Sequence, residues 1–145
     1  AQLLLNNPKL LIVDEPTAGL DPSERNRFLS VLRSVGTESL VIFSTHIVED
    51  VRDLCKDMAV MNEGKVKYHE KPSVAVRNLE GKVWTASRNI YESVEKMQSF
   101  ELLSSAFNDD GVEMIRVFAD HAPIGFGPAS ANLEDVYFYQ LKVQS

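Results

Sequence analysis

Two unbroken apolar tetrads constrain this chain most. Leu10-Leu11-Ile12-Val13 is closed by Asp14-Glu15-Pro16, and Leu40-Val41-Ile42-Phe43 is closed by Ser44-Thr45-His46. A short apolar run without alternation reads as a strand buried on both faces, the habit of parallel sheets covered by helices on each side. Between the tetrads, Asp21-Pro22-Ser23-Glu24 is a strong helix start. Asp21 can cap, Pro22 fits the first helical position, and Glu24 stands where a capping-box carboxylate belongs. The helix that follows places Phe28, Val31, Leu32 and Val35 on one face and stops at Gly36. A second helix, after His46, carries Ile47, Val51, Leu54 and Cys55 on one stripe. The strand–helix–strand–helix order implies right-handed crossovers and a parallel sheet.

The pattern then changes. Met58 to Met61, a turn at Asn62-Glu63-Gly64, and Lys65 to His69 read as a hairpin, and a short helix over Ser73 to Leu79 closes the region. From Gly81 onward the spacing predicts a small α+β unit. Its elements are a strand at Lys82 to Ala86, a helix near Ile90 to Gln98, a hairpin turning at Asn108-Asp109-Asp110-Gly111, and a final helix from Leu133 to Lys142. The expected division is therefore 1–80 and 81–145, with net charges of −2 and −4.

Composition removes several functional classes. With 15 Lys+Arg against 21 Asp+Glu and no basic cluster, the chain offers nothing to neutralise a nucleic-acid backbone. The single Cys55 excludes an internal disulfide framework and a multi-cysteine metal site. No apolar run approaches the ~18 residues of a membrane span. Leu3-Leu4-Leu5 is too short for a signal core and lacks a basic flank, so the chain reads as a cytosolic one.

The chemistry is concentrated at the ends of the two tetrads. In open parallel sheets, ligands bind beyond the carboxyl ends of the strands, where Asp14, Glu15 and His46 all fall. One carboxylate of an adjacent pair can hold a metal while its neighbour addresses a water. A helix start behind His46 disfavours its imidazolium form, and a neutral imidazole can hydrogen-bond a phosphate or the attacking water.

These residues resemble the ATPase subunits of ABC transporters, which are P-loop NTPases. Asp14-Glu15 looks like the end of the Walker B motif, Ala18-Gly19-Leu20-Asp21 matches the D-loop, and Ser44-Thr45-His46 matches the H-loop. The resemblance implies that Asp14 coordinates Mg²⁺, through water, beside bound ATP. It makes Glu15 the general base and His46 a γ-phosphate contact, both catalytic. It places Gly19, Leu20 and Asp21 at an interface with a second ATPase subunit. Glu63-Gly64-Lys65-Val66 resembles the hairpin that follows the H-loop, so the match covers about residues 1–80. Asn132-Leu133-Glu134-Asp135-Val136-Tyr137-Phe138 is similar to the accessory C-terminal domain of exporter-type subunits. The fold class implied is the C-terminal part of a P-loop parallel sheet with flanking helices, followed by that small α+β domain. The implied setting is the cytoplasmic face of a membrane, against a transmembrane permease subunit.

The sequence contains no Gly-x-x-x-x-Gly-Lys-[Ser/Thr], no Leu-Ser-Gly-Gly and no recognisable Q-loop. With its start at Ala1, the expectation is a C-terminal fragment that hydrolyses no ATP alone. The alternative is that residues 81–145 form a regulatory or protein-interaction module on a catalytically inactive chain. A soluble relative acting in DNA repair, chromosome maintenance or translation is disfavoured by the absence of a basic groove. Plainer readings hold elsewhere. Asp21 caps a helix in any case, Cys55 packs, His69 and His121 are surface residues, and Gly125-Phe126-Gly127 is a turn. Tyr137, Phe138 and Tyr139 cannot all face one core, so the last helix is expected to pack between the two regions.

Overall fold

The computed structural model describes residues 8–143, so Ala1 and the Leu3-Leu4-Leu5 run lie outside the described residues. The fold is mixed α/β and divides into two compact units, Ala1–Cys55 and Lys56–Ser145. No described helix is long and apolar enough to cross a membrane.

In the first unit, strand β1 (Leu10–Asp14) pairs in parallel with β2 (Leu40–Ser44), Leu10 opposite Leu40 and Asp14 opposite Ser44. Helix α1 (Pro22–Val35) makes the crossover, and helix α2 (Val48–Leu54) follows β2. The start of α1 is as its residues dictate. The Asp21 carboxylate accepts from the backbone N–H groups of Ser23 and Glu24, both at 2.8 Å, and the Glu24 side chain accepts from the Asp21 N–H.

The expectation of strands buried on both faces is corrected. Leu11 is buried, and Val13, Val41 and Phe43 on the same face are half-buried. Leu10, Ile12, Leu40 and Ile42 point to the other face and stay 49–66% exposed. Successive strand side chains alternate between faces, and among the described residues only one face is covered. On α1, Leu29 and Leu32 are the buried residues, whereas Val31 is exposed. Helix α2 is shorter than its apolar stripe suggested, with Ile47 and Cys55 standing as its two caps, and its buried residue is Asp50.

The second unit opens with the hairpin β3 (Met58–Asn62) and β4 (Lys65–Glu70), which carries a bulge at Val60/Met61. Its two-residue turn puts both Glu63 (φ 50°) and Gly64 (φ 73°) in the left-handed region, the requirement of a type I′ turn. Helix α3 (Pro72–Leu79) buries Ala75 and Leu79. Strand β5 (Val83–Ser87), helix α4 (Arg88–Val94), and strands β6 (Glu101–Phe107), β7 (Glu113–Phe118) and β8 (Gly127–Pro128) follow. The sheet order is β6-β7-β5-β8, antiparallel throughout. Its core is Val83, Ala86, Leu103, Ile115 and Val117, joined by Leu133 and Val136 of α5 (Leu133–Val143).

Two expectations differ in detail, and a third gains a strand. Helix α4 ends at Val94 rather than near Gln98, because the chain tightens there into a turn closed by Met97 N–H on the Val94 carbonyl. The turn at Gly125-Phe126-Gly127 is present, closed by Phe126 N–H on the Pro123 carbonyl with Gly125 at φ 82°, and Gly127 goes on to pair with Thr85 in β8. The compact units divide after Cys55 rather than after residue 80. Helix α5 packs on α3 and against β3 and β4, which joins residues 56–80 to the tail. Tyr139 meets the Phe118 ring with centroids 4.4 Å apart, while Tyr137 is 40% exposed.

Candidate functional site

The parallel register of β1 and β2 ends both strands at one edge of the sheet, and this places the polar residues that follow them side by side. Ser44 stands opposite Asp14. Its hydroxyl donates to Asp14 Oδ1 and accepts from the Glu15 N–H at 3.0 Å. The Glu15 N–H also meets the Ser44 carbonyl at 3.1 Å. Glu15 is held at φ 40°, a left-handed conformation uncommon for a residue with a side chain. That turn ends the strand and sends the Glu15 side chain toward the loop after β2.

There the Glu15 Oε2 lies 2.9 Å from His46 Nδ1. Both side chains are open to solvent, His46 at 67% and Glu15 at 47%. The pair couples the first residue past β1 to a residue just before α2. A protonated imidazole would form an ion pair with Glu15; a neutral one with hydrogen on Nδ1 would donate a hydrogen bond. Thr45 Oγ1 accepts from the Ile47 N–H at 3.0 Å, which fixes the chain entering α2.

Asp14, Glu15 and His46 are thus brought to one edge. Gly19, Leu20 and Asp21 lie on the turn between β1 and α1. That turn is closed by Ala18 N–H on the Glu15 carbonyl and Leu20 N–H on the Thr17 carbonyl, at 3.1 and 3.3 Å. Gly19 sits at φ 76°, where a side chain would be strained, so a glycine is required there. Leu20 borders an open groove with Glu24, Arg27, Phe28 and Val31.

Sequence reasoning passed over Ser44 as a clamp and missed Thr17, Arg25 and Asp50. Thr17 Oγ1 donates to Asp50 Oδ2 at 2.6 Å, and Arg25 reaches Asp50 Oδ1 through Nε and Nη2 at 2.8 and 2.7 Å. The signal was present: Asp50 falls at helical spacing from Ile47 and Leu54, an acid on an otherwise apolar stripe. Near it, Cys55 is half-buried, and burial, with the Asp50 carboxylate adding to it, pushes its thiol up to about 11.

The described residues contain no group of three or more His, Cys, Asp or Glu arranged to hold a metal ion. Asp14 offers a single exposed carboxylate steadied by Ser44. That donor set fits Mg²⁺, which keeps several waters and takes one or two carboxylates together with substrate phosphates.

No family model matches the chain. Among curated proteins it is similar to the ABC transporter ATP-binding protein YdbJ of Bacillus subtilis, with 30% identity over 129 residues, 85% of this chain and 40% of that protein. The ABC transporter ATP-binding protein YxlF of the same organism is 38% identical over 68 residues, 47% of this chain and 23% of its own length. Nod factor export ATP-binding protein I of Rhizobium meliloti is 38% identical over 77 residues, 52% of this chain and 23% of its own. The chain spans less than half the length of these curated relatives.

Proposed function

We propose that this chain, which belongs by sequence to the ABC transporter ATP-binding proteins, carries the Walker B and H-loop side of an ATP-hydrolysing site that powers transmembrane transport. The single observation that carries the reading is the 2.9 Å contact of Glu15 with His46 at the shared edge of β1 and β2. In this reading Asp14 would hold Mg²⁺, which would supply positive charge to offset the phosphates of a bound nucleotide. Glu15 takes the proton of the attacking water, a contribution of about 10²–10⁴-fold in rate. His46, held by Glu15, hydrogen-bonds the γ-phosphate side of the site.

A complete site also needs a Walker A loop and a signature motif, and this sequence contains neither. Two ATPase subunits enclose ATP between them, and Gly19, Leu20 and Asp21 face the second subunit. A permease subunit in the membrane completes the transporter, and the ATPase lies on its cytoplasmic face. No nucleic acid takes part, in keeping with the net charge of −6. By resemblance, residues 1–80 match the C-terminal part of the nucleotide-binding domain and 81–145 its accessory domain, although residues 56–80 pack with the tail. The name of the Rhizobium relative and the resemblance of the tail favour export as the direction.

Glu15→Gln tests the reading in an ATPase that joins this sequence to a phosphate loop and signature. ATP binding is expected to persist while turnover falls by about 10²-fold or more. Near-normal steady-state hydrolysis would remove Glu15 from the base role.

A second reading concerns the 145-residue chain by itself. It turns over no ATP, and residues 81–145 act as an interaction or regulatory module. Large exposed apolar side chains at Phe107 and Ile124 favour this. Millimolar Mg-ATP is then expected to leave the melting temperature unchanged, whereas a ligand at about 100 times its Kd would add about 2.7 kcal/mol.

A further inference from the structure

Asp50 is fully buried and is the buried residue of α2. Burying a carboxylate is costly, and apolar replacement of buried ionic groups is often neutral or stabilising. What Asp50 gains is geometry. Its two oxygens serve different elements. Oδ2 accepts from Thr17, itself buried, on the turn after β1, and Oδ1 takes the Arg25 guanidinium from the first turns of α1. Thr17 lies two residues beyond Glu15, and Asp50 four beyond His46. The buried bridge therefore ties together the same two segments that the exposed Glu15–His46 contact joins.

We propose that Asp50 is a positioning residue. Through Thr17 and Arg25 it fixes the turn bearing Gly19, Leu20 and Asp21 against the start of α2, and so sets the approach of Glu15 to His46. An exposed carboxylate–imidazole contact is held weakly by itself. A hydroxyl bonded to a buried charge is directional and strong, since no water competes for it. Its bearing on catalysis rests on the roles of Glu15 and His46 proposed above; the positioning does not.

Amide hydrogen exchange on the 145-residue chain, without nucleotide, tests the positioning. Thr17→Val removes the hydroxyl while keeping the side-chain shape, and avoids the risk that Asp50→Asn fails to fold. The amides of Ala18 and Leu20, which close the turn, are expected to exchange about tenfold faster or more in Thr17→Val. Amides of β5 and β7 should hold their rates, and Thr17→Ser should restore protection. Unchanged rates at Ala18 and Leu20, or equal acceleration across the chain, would overturn the proposal. In an ATPase containing this sequence and a phosphate loop, Thr17→Val should lower kcat about tenfold with KM for ATP unchanged. Faster exchange with an unchanged kcat would overturn the coupling to the site. A Glu15→Gln variant that still hydrolyses ATP would instead overturn the catalytic reading and leave the exchange result standing.

Discussion

His46 Nδ1 stands 2.9 Å from Glu15 Oε2, joining the residue just past β1 to the loop that follows β2. The contact spans 31 positions of sequence and exists because β1 and β2 run parallel and end in register, Asp14 opposite Ser44. Ser44 reinforces it from the backbone side by holding both Asp14 and the Glu15 N–H. A strand-end carboxylate and a strand-end imidazole thus become neighbours through topology rather than through a local motif.

Asp21 is expected to matter for stability apart from any subunit contact. It accepts two N–H groups of the first turn of α1. Asp21→Ala should lower unfolding free energy by about 1 kcal/mol, whereas Asp21→Asn keeps the cap and should cost little. Urea denaturation of both variants checks this. Equal stability of Asp21→Ala and the parent would contradict it.

The motif-like tail Asn132-Leu133-Glu134-Asp135 has a structural explanation. Asn132 and Asp135 bond each other's N–H groups at the start of α5, and Asp135 also receives Arg116 of β7 through two nitrogens at 2.8 and 2.6 Å. The Asp135 hydrogen bond keeps the Arg116 guanidinium firmly protonated. Asp135→Ala strands a largely buried cation and should destabilise by about 3 kcal/mol. Glu134→Ala, on the exposed side, should stay within about 0.5 kcal/mol. Equal denaturation midpoints for the two variants would contradict the assignment.

How much of this was legible follows the range of each interaction. The capping box at Asp21 and the hairpin turn at Glu63-Gly64 are written within four residues, and both formed as read. The turn bearing Glu63 and Gly64 needed only its own φ preferences. The open face of β1 and β2 was not readable, because a continuous apolar run says nothing about what covers each side. Asp50 escaped because helical spacing was read for apolar residues alone, and its partners Thr17 and Arg25 lie 33 and 25 positions away. Strand β8 was hidden for a similar reason, since two residues pairing with β5 leave no period in the sequence.

Cys55 should be a slow thiol. With its thiol pushed up to about 11 by burial and by Asp50, thiolate near pH 8 is about a hundredfold scarcer than for an ordinary cysteine. Iodoacetamide should therefore alkylate the folded chain far more slowly than the urea-unfolded chain. The linkage has a definite sign. The folded value lies above the unfolded one, so the stability Cys55 contributes is intact below about pH 8.5 and is lost as pH rises toward 11. Cys55→Ala should flatten that alkaline decline. Equal alkylation rates in the folded and unfolded states would contradict the burial argument.

The most direct measurement compares ATP binding and ATP turnover for Glu15→Gln in an ATPase that contains this sequence with a phosphate loop and signature. The Glu15–His46 geometry predicts retained binding and a fall in kcat of about 10²-fold or more. Turnover close to that of the parent would contradict the claim that this strand edge carries the chemistry.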